Sequence, residues 1–339
     1  MCSAPRHEGP PHAGESLQRA ALRVLCEPDM ARKAELTART AAMWRSGSLA
    51  APRGPEPGWP AVPDRPARDD GKLQLVHPQR MRRLKAGGTL ASRQAIVHAL
   101  VHIEGWAVDL SWDIIARFGD ASMPRGFNDD FVAVAEEECK HHLLLKARLE
   151  AMGSYYGALP AHDALWHSAN ATAHSLPARL AVEHCVHEAR GLDVMPATVA
   201  KFRTNGDNET ADLLEHIIYK EEITHCRAGV RWLTHLHSAA RAAGRCADEA
   251  PAWAAGGCAD EAPAWAAEAR QHASVETWFH ALVRTHFKGS LKPPFNVAAR
   301  DEAGFTAAWY EPLAAEPRRR DTPASSQATP AAAAVGSAA

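Results

Sequence analysis

The chain is predicted to be all-α, built on four long helices that form two antiparallel hairpins joined by one long crossover. Three observations carry this. From about residue 91 to 237, apolar residues recur at helical spacing. The interruptions of that pattern fall in the order short, long, short. The same region also holds two copies of one helix-pair pattern. Helices of about 25 residues would be about 38 Å long, which suits a bundle better than a compact crossing arrangement.

The first helix is expected from near Ala91 to Phe118, with Val97, Leu100, Ile103, Ala107 and Ile114 as its apolar stripe and Gly119 and Pro124 as its breakers. The second is expected from about Asn128 to Met152, ending at Gly153, a residue suited to a helix C-cap. The crossover follows, with Pro160 and several turn formers. The third helix should begin near Leu176, with Pro177 in its first turn, and run to about Phe202. A Thr-Asn-Gly-Asp turn at 204–207 leads to the fourth, from about Asn208 to Leu236. This is the topology of ferritin-like folds.

Flanking segments complete the division. Residues 1–70 read as an N-terminal helical part (one or two helices over 15–46) followed by a Pro-rich linker at 51–70. Residues 71–237 are the bundle, and 238–272 an exposed loop containing a tandem duplication, CADEAPAWAAGG then CADEAPAWAAEA. Residues 273–315 are a C-terminal helical extension, with an amphipathic helix over 274–288. The low-complexity tail at 316–339 is expected to be disordered.

Composition excludes several classes. A formal net charge of −2 gives no global attraction to nucleic acid or anionic membrane. The basic residues Arg80, Arg82, Arg83 and Lys85 lack supporting aromatics, so a solvated surface face is expected there. No run of 18 apolar residues suggests a membrane span, and the N-terminus lacks the apolar core of a signal peptide. Seven cysteines occur without a Cys-x-x-Cys pair. A reducing cytoplasm is the expected setting, with Cys139, Cys185 and Cys226 as small buried apolar groups.

The two copies carry the chemistry. Glu104 and Glu138 stand 34 residues apart, as do Glu188 and Glu222. The later member of each pair opens Glu-x-x-His, giving His141 and His225. The earlier members share a frame that ends in Asp109 and Asp193. Residues three apart on a helix lie on one face, so each Glu and His can reach one ion. Each Glu sits within an apolar stripe: Leu100 and Ala107 for Glu104, Phe131, Val134 and Leu145 for Glu138, Leu192 and Met195 for Glu188, Ile218 and Leu233 for Glu222.

A buried carboxylate without a partner costs several kcal/mol. Two divalent cations would cancel four converging charges, and this mixed donor set suits iron or manganese. A lone Glu-x-x-His is a weak signal, but two at the same offset are hard to obtain by chance. Glu183 competes with Glu188, and the 34-residue spacing selects Glu188. His184 and His187 form no His-Glu-x-x-His signature and are expected to pack near the site. Glu137 and Glu221 precede the motif glutamates and are placed to receive the outer N–H of the opposite motif's histidine.

HALVHIEGWAVDLSWD, EEECKHHLLLKARLEAMGSYYGALPAHDALW, HEARGLDVMP, GDNETADLLEHIIYKEEITHCRAGVRWL and KPPFNVAARDEAGF resemble the bacterial ferritin-like family designated domain of unknown function 455. The resemblance covers about residues 70–315 outside the duplicated loop. It implies a ferritin-like bundle related to the tRNA-hydroxylase branch of di-iron proteins, with ligand positions at Glu104, Glu138, His141, Glu188, Glu222 and His225. Glu221 departs from it, Asp being commoner there. The expected function is a dinuclear carboxylate protein holding two iron ions, or manganese and iron. It would act as an oxidoreductase using O₂ or peroxide, an organic small molecule and an electron donor. Tyr219, three residues before Glu222, is expected mainly to pack. The alternatives are a non-catalytic metal-binding bundle and, by fold analogy alone, a tRNA-modifying hydroxylase.

Overall fold

The computed structural model describes residues 9–50, 61–69, 71, 73–81, 87–120, 122–243 and 263–314. Arg82, Arg83, Lys85, most of the duplicated repeat and the 316–339 tail lie outside these residues.

Two helices open the chain, α1 (Leu17–Leu25) and α2 (Met30–Arg45), capped by the side chains of Ser16 and Asp29. The first long helix, α3 (Leu90–Phe118), starts at a capping box between Thr89 and Ser92. Its partner α4 (Arg125–Ala151) ends before Gly153, whose φ of +81° is the left-handed conformation that favours glycine. A short helix, α5 (Ala164–Ala171), lies within the crossover, where none was expected.

The next long helix, α6, covers 176–204. It begins as Leu176–Arg179, widens to a π-helix over Leu180–His187, and resumes as Glu188–Thr204. The last of the four, α7, covers 208–243. It begins as Asn208–Leu213, passes through a π turn at Leu214–Ile218, and continues as Tyr219–Ala243. Then come α8 (Ala264–Arg270), α9 (Val275–His286), α10 (Val297–Glu302) and α11 (Ala307–Tyr310). Every regular element among the described residues is a helix, with only isolated bridges and no strand. None of these helices is long and apolar enough to cross a membrane.

Several expectations are corrected. Residues 238–272 are not one exposed loop. Helix α7 continues to Ala243, and the end of the second repeat copy is helix α8, with Ala266 and Ala269 fully buried. Its AWAAEAR segment is short, but alanine-rich and therefore helix-prone. The part of the Pro-rich stretch over 61–69 is irregular, yet it is docked rather than free. The Ala67 and Asp69 amides donate to Leu25 O and Pro28 O at 2.8 Å each. Ile103, placed by periodicity in the core stripe, is 47% exposed.

Besides a small cluster of Trp106, Leu110, Trp166 and Ala169, the core divides into two apolar clusters. One takes Val108 to Ala116 of α3, Phe127 to Cys139 of α4, Leu180 to Leu192 of α6 and Ile223 to Ala240 of α7. The other takes Ile96 to Val101, Leu145 to Leu149, Met195 to Phe202 and Leu214 to Ile218 of the same four helices. The order along each helix shows that α3 and α7 run one way and α4 and α6 the other. A crossover is therefore required between α4 and α6. Where the two clusters meet, at one level on all four helices, lies a layer of ionisable side chains.

Candidate metal centre

That layer contains all six motif residues. Glu104 comes from α3, Glu138 and His141 from α4, Glu188 from the first turn after the π segment of α6, and Glu222 and His225 from α7. Five are buried and Glu188 is half-buried. One oxygen or ring nitrogen from each of Glu104, Glu138, His141 and Glu222 falls within a common 4.8 Å; so does one from each of Glu138, Glu188, Glu222 and His225. Glu138 and Glu222 belong to both groups.

These two shared carboxylates are split between the two imidazoles. His141 Nδ1 lies 3.5 Å from Glu138 Oε2 and 3.5 Å from Glu222 Oε1. His225 Nδ1 lies 3.0 Å from Glu138 Oε1 and 3.9 Å from Glu222 Oε2. Glu104 Oε2 is 3.8 Å from His141 Nδ1 on the outer side of one group.

The outer ring nitrogens are held across the molecule. His141 Nε2–H donates to Glu221 Oε2 at 2.8 Å, and His225 Nε2–H donates to Glu137 Oε2 at 2.8 Å. A carboxylate only accepts, so each neutral imidazole keeps its proton on Nε2 and turns the Nδ1 lone pair inward. Both Nδ1 atoms and Glu138 Oε2 are buried without a hydrogen-bond partner. Orphaned buried atoms of this kind need a physical explanation. A cation among two lone pairs and four carboxylates supplies one, so the donor set fits a pair of metal ions.

Without metal, the cluster holds protons. Burial, reinforced by Glu138 and Glu222, pushes the Glu104 carboxyl well above its usual range; burial with Glu222 and Glu138 does the same to Glu188. Burial alone would lower His141 and His225. Contacts with Glu104, Glu138 and Glu222 outweigh it at His141, and contacts with Glu138, Glu137 and Glu222 outweigh it at His225, so both imidazoles titrate well above normal.

Neighbouring candidates fall outside both groups. Glu183 is buried in the π segment of α6, with neither oxygen hydrogen-bonded. His184 packs edge-on against Phe131 at 4.8 Å, and burial holds its pKa down to about 3. His187 Nε2 lies 3.3 Å from Ser168 Oγ and 3.8 Å from Glu183 Oε2. The three thiols Cys139, Cys185 and Cys226 are buried and unbridged. Tyr219 accepts a 2.7 Å hydrogen bond from Asn296 Nδ2 at its hydroxyl. A third acidic group, Asp212, Glu215 and His216, is exposed, and Arg203 already pairs with Asp212 and Glu215 at 2.6 Å each.

Periodicity gave no sign of the groups that brace the layer from outside it. Lys33 and Arg68 both pair with Asp109, and Arg300 pairs with Asp193. Only the shared Glu-to-Asp frame of the two copies hinted at Asp109 and Asp193.

Fold and site together define a helical protein with a buried cluster of four glutamates and two histidines. The chain belongs to the family described as Protein of unknown function (DUF455), which it matches over residues 26–311, a span that includes every residue of the cluster. It is similar to an uncharacterized protein of Haemophilus influenzae, 37% identical over 143 residues, or 41% of this chain and 49% of that protein. The match thus spans about half the length of that relative. No solved structure matches the chain.

Proposed function

We propose that the chain is a ferritin-like dinuclear metal carboxylate protein, with iron or manganese and iron as its ions, acting as an oxidoreductase on O₂ or peroxide. The observation that carries this is the division of Glu138 and Glu222 between His141 and His225, one oxygen of each carboxylate toward each ring. In this reading Glu104, Glu138, His141 and Glu222 would hold one ion, and Glu138, Glu188, Glu222 and His225 would hold the other. Such a pair of ions supplies two-electron redox chemistry toward O₂ or peroxide.

The protein's own groups have three tasks. Glu137 and Glu221 hold the imidazoles in the tautomer that ligates. The apolar clusters on either side keep bulk water from the layer. Glu104, Glu188 and Glu222 retain slight exposure where Glu138, His141 and His225 have almost none, so small molecules would arrive on the side of those three carboxylates. Reduced, iron-loaded protein is expected to change its near-ultraviolet and visible absorption on exposure to O₂. A spectrum that stays flat while iron remains bound would refute the redox assignment and leave a metal-binding protein without turnover.

Glu221→Gln is expected to weaken Mn²⁺ binding by roughly 10–100-fold, the usual cost of removing a carboxylate behind a ligating histidine. The helical circular dichroism should be unchanged. In the metal-free protein, burial pushes the Glu221 carboxyl up, but Lys140 and His141 outweigh it and hold the group below its usual range. The substitution therefore removes a charge. Titration calorimetry with an affinity equal to wild type would show that Glu221 does not support His141.

A further inference from the structure

We infer that Asp109 and Asp193 are positioning residues for the metal centre, each fixing the rotation of one ligand-bearing helix through cations supplied from outside the four helices. The inference rests on the dinuclear reading above. Asp109 stands five residues after Glu104, and Asp193 five after Glu188. Five residues turn a helix through about 140° beyond a full revolution. Each aspartate therefore faces away from the centre when its glutamate faces into it, and gripping the first aims the second.

The two grips are alike in form. Asp109 is fully buried and ion-paired to Lys33 Nζ of α2, which also donates to Ala67 O at 3.1 Å. Arg68 Nη1 donates to Asp109 Oδ2 at 3.0 Å, and its guanidinium lies 4.1 Å from the Trp106 ring centroid. Asp193 receives Arg300 Nε at 2.8 Å and Nη2 at 2.6 Å, with the Asn296 amide at 2.9 Å. The Arg300 guanidinium lies 4.3 Å from the Tyr310 ring centroid.

Each grip then reaches a further element. Arg68 Nη2 donates to the Tyr156 hydroxyl at 3.5 Å, and a Cβ at Gly105, beside Glu104, would come within 2.9 Å of the same nitrogen. Asn296 donates to the Tyr219 hydroxyl, one turn before Glu222.

The duplication accounts for the aspartates but not for their partners. Lys33 and Arg68 come from the N-terminal segment, whereas Asn296 and Arg300 come from the C-terminal extension. Two unrelated segments have converged on the same position of the repeat. Stability alone is a weak reason for this, because a buried ion pair is often replaced by apolar groups at no loss.

That exchange is the test. Asp193→Asn/Arg300→Met, which removes both charges and keeps an acceptor for the Asn296 amide, is expected to fold with a melting temperature close to that of wild type. In calorimetric titration with Mn²⁺ it should bind one of two ions roughly tenfold or more weakly, leaving the other unchanged. Lys33→Met/Asp109→Asn should weaken the opposite ion. In a His141→Ala background, where the Glu188–His225 ion remains, the Asp193 pair should matter and the Asp109 pair should not. Should the double variant fail to fold, Arg300→Lys keeps the charge but loses the two-pronged contact, and the same criterion applies. Folded variants with wild-type affinity, or with equal loss at both ions, would overturn the positioning role alone. A wild-type protein that binds no Mn²⁺ would overturn the dinuclear reading itself.

Discussion

Replacing Gly229 by alanine is expected to destabilise the protein by on the order of 3 kcal/mol, seen as a melting temperature lower by roughly 10 °C. In an ordinary helix interior the same change gains about 1 kcal/mol from helix propensity, so the sign of the result is informative. Gly229 lies in α7 where it meets the π segment of α6. A Cβ there would come within 2.0 Å of the His184 carbonyl oxygen and 2.5 Å of its carbon. These are backbone atoms and cannot rotate aside, and the Cys185 sulfur at 3.1 Å closes the remaining space. Relief requires the two helices to part, which would also draw Glu222 and His225 away from Glu188. Thermal melting with unchanged or raised stability would show that α6 and α7 do not approach this closely.

Metal-free protein is expected to lose stability as pH rises from about 6 to 9, and Mn²⁺ is expected to stabilise it more at each step. Unfolded carboxyls titrate near 4.3 and imidazoles near 6.5. In the folded, metal-free protein Glu104, Glu188, His141 and His225 all titrate well above those values. The folded state therefore holds more protons than the unfolded chain across this window, and stability must fall with pH. Each group that is still protonated contributes about 1.4 kcal/mol per pH unit. Glu138 behaves oppositely. Burial raises it, but His225 and His141 outweigh this and hold it far below the usual range, so its own dependence falls below about pH 4.3. Metal ions must displace the retained protons, so the difference in melting temperature with and without Mn²⁺ should widen from pH 6 to pH 9. A difference that is constant with pH would mean that Mn²⁺ binds elsewhere.

Much of this arrangement is legible in the sequence because its determinants are local. Gly119, Gly153, Pro177 and the 204–207 turn mark helix ends by their own backbone preferences, and the four helices fall within a few residues of those signals. The six cluster residues follow from a repeat interval. That interval conceals a real difference between the copies, however. The turn of the second hairpin is shorter, 205–207 against 119–124, but Glu188 stands further from the end of its helix than Glu104 does and Glu222 further from the start of its helix than Glu138, so the 34-residue spacing survives. The π segments leave no mark in apolar periodicity. Ile103 shows the limit of periodicity in the other direction: it has the spacing of a core residue yet stays nearly half exposed. The cations at Asp109 and Asp193 lie from 41 to 107 residues away in sequence, and no local rule reports pairings over that distance.

The central claim is that four carboxylates and two imidazoles share one buried layer because two cations belong among them. Elemental analysis of protein purified without added metal, beside a Glu138→Ala/His141→Ala variant that retains its helical content, tests this most directly. The expected result is two transition-metal ions per chain in the wild type and a marked loss in the variant. Folded wild-type protein free of iron and manganese, or equal metal in both proteins, would contradict it.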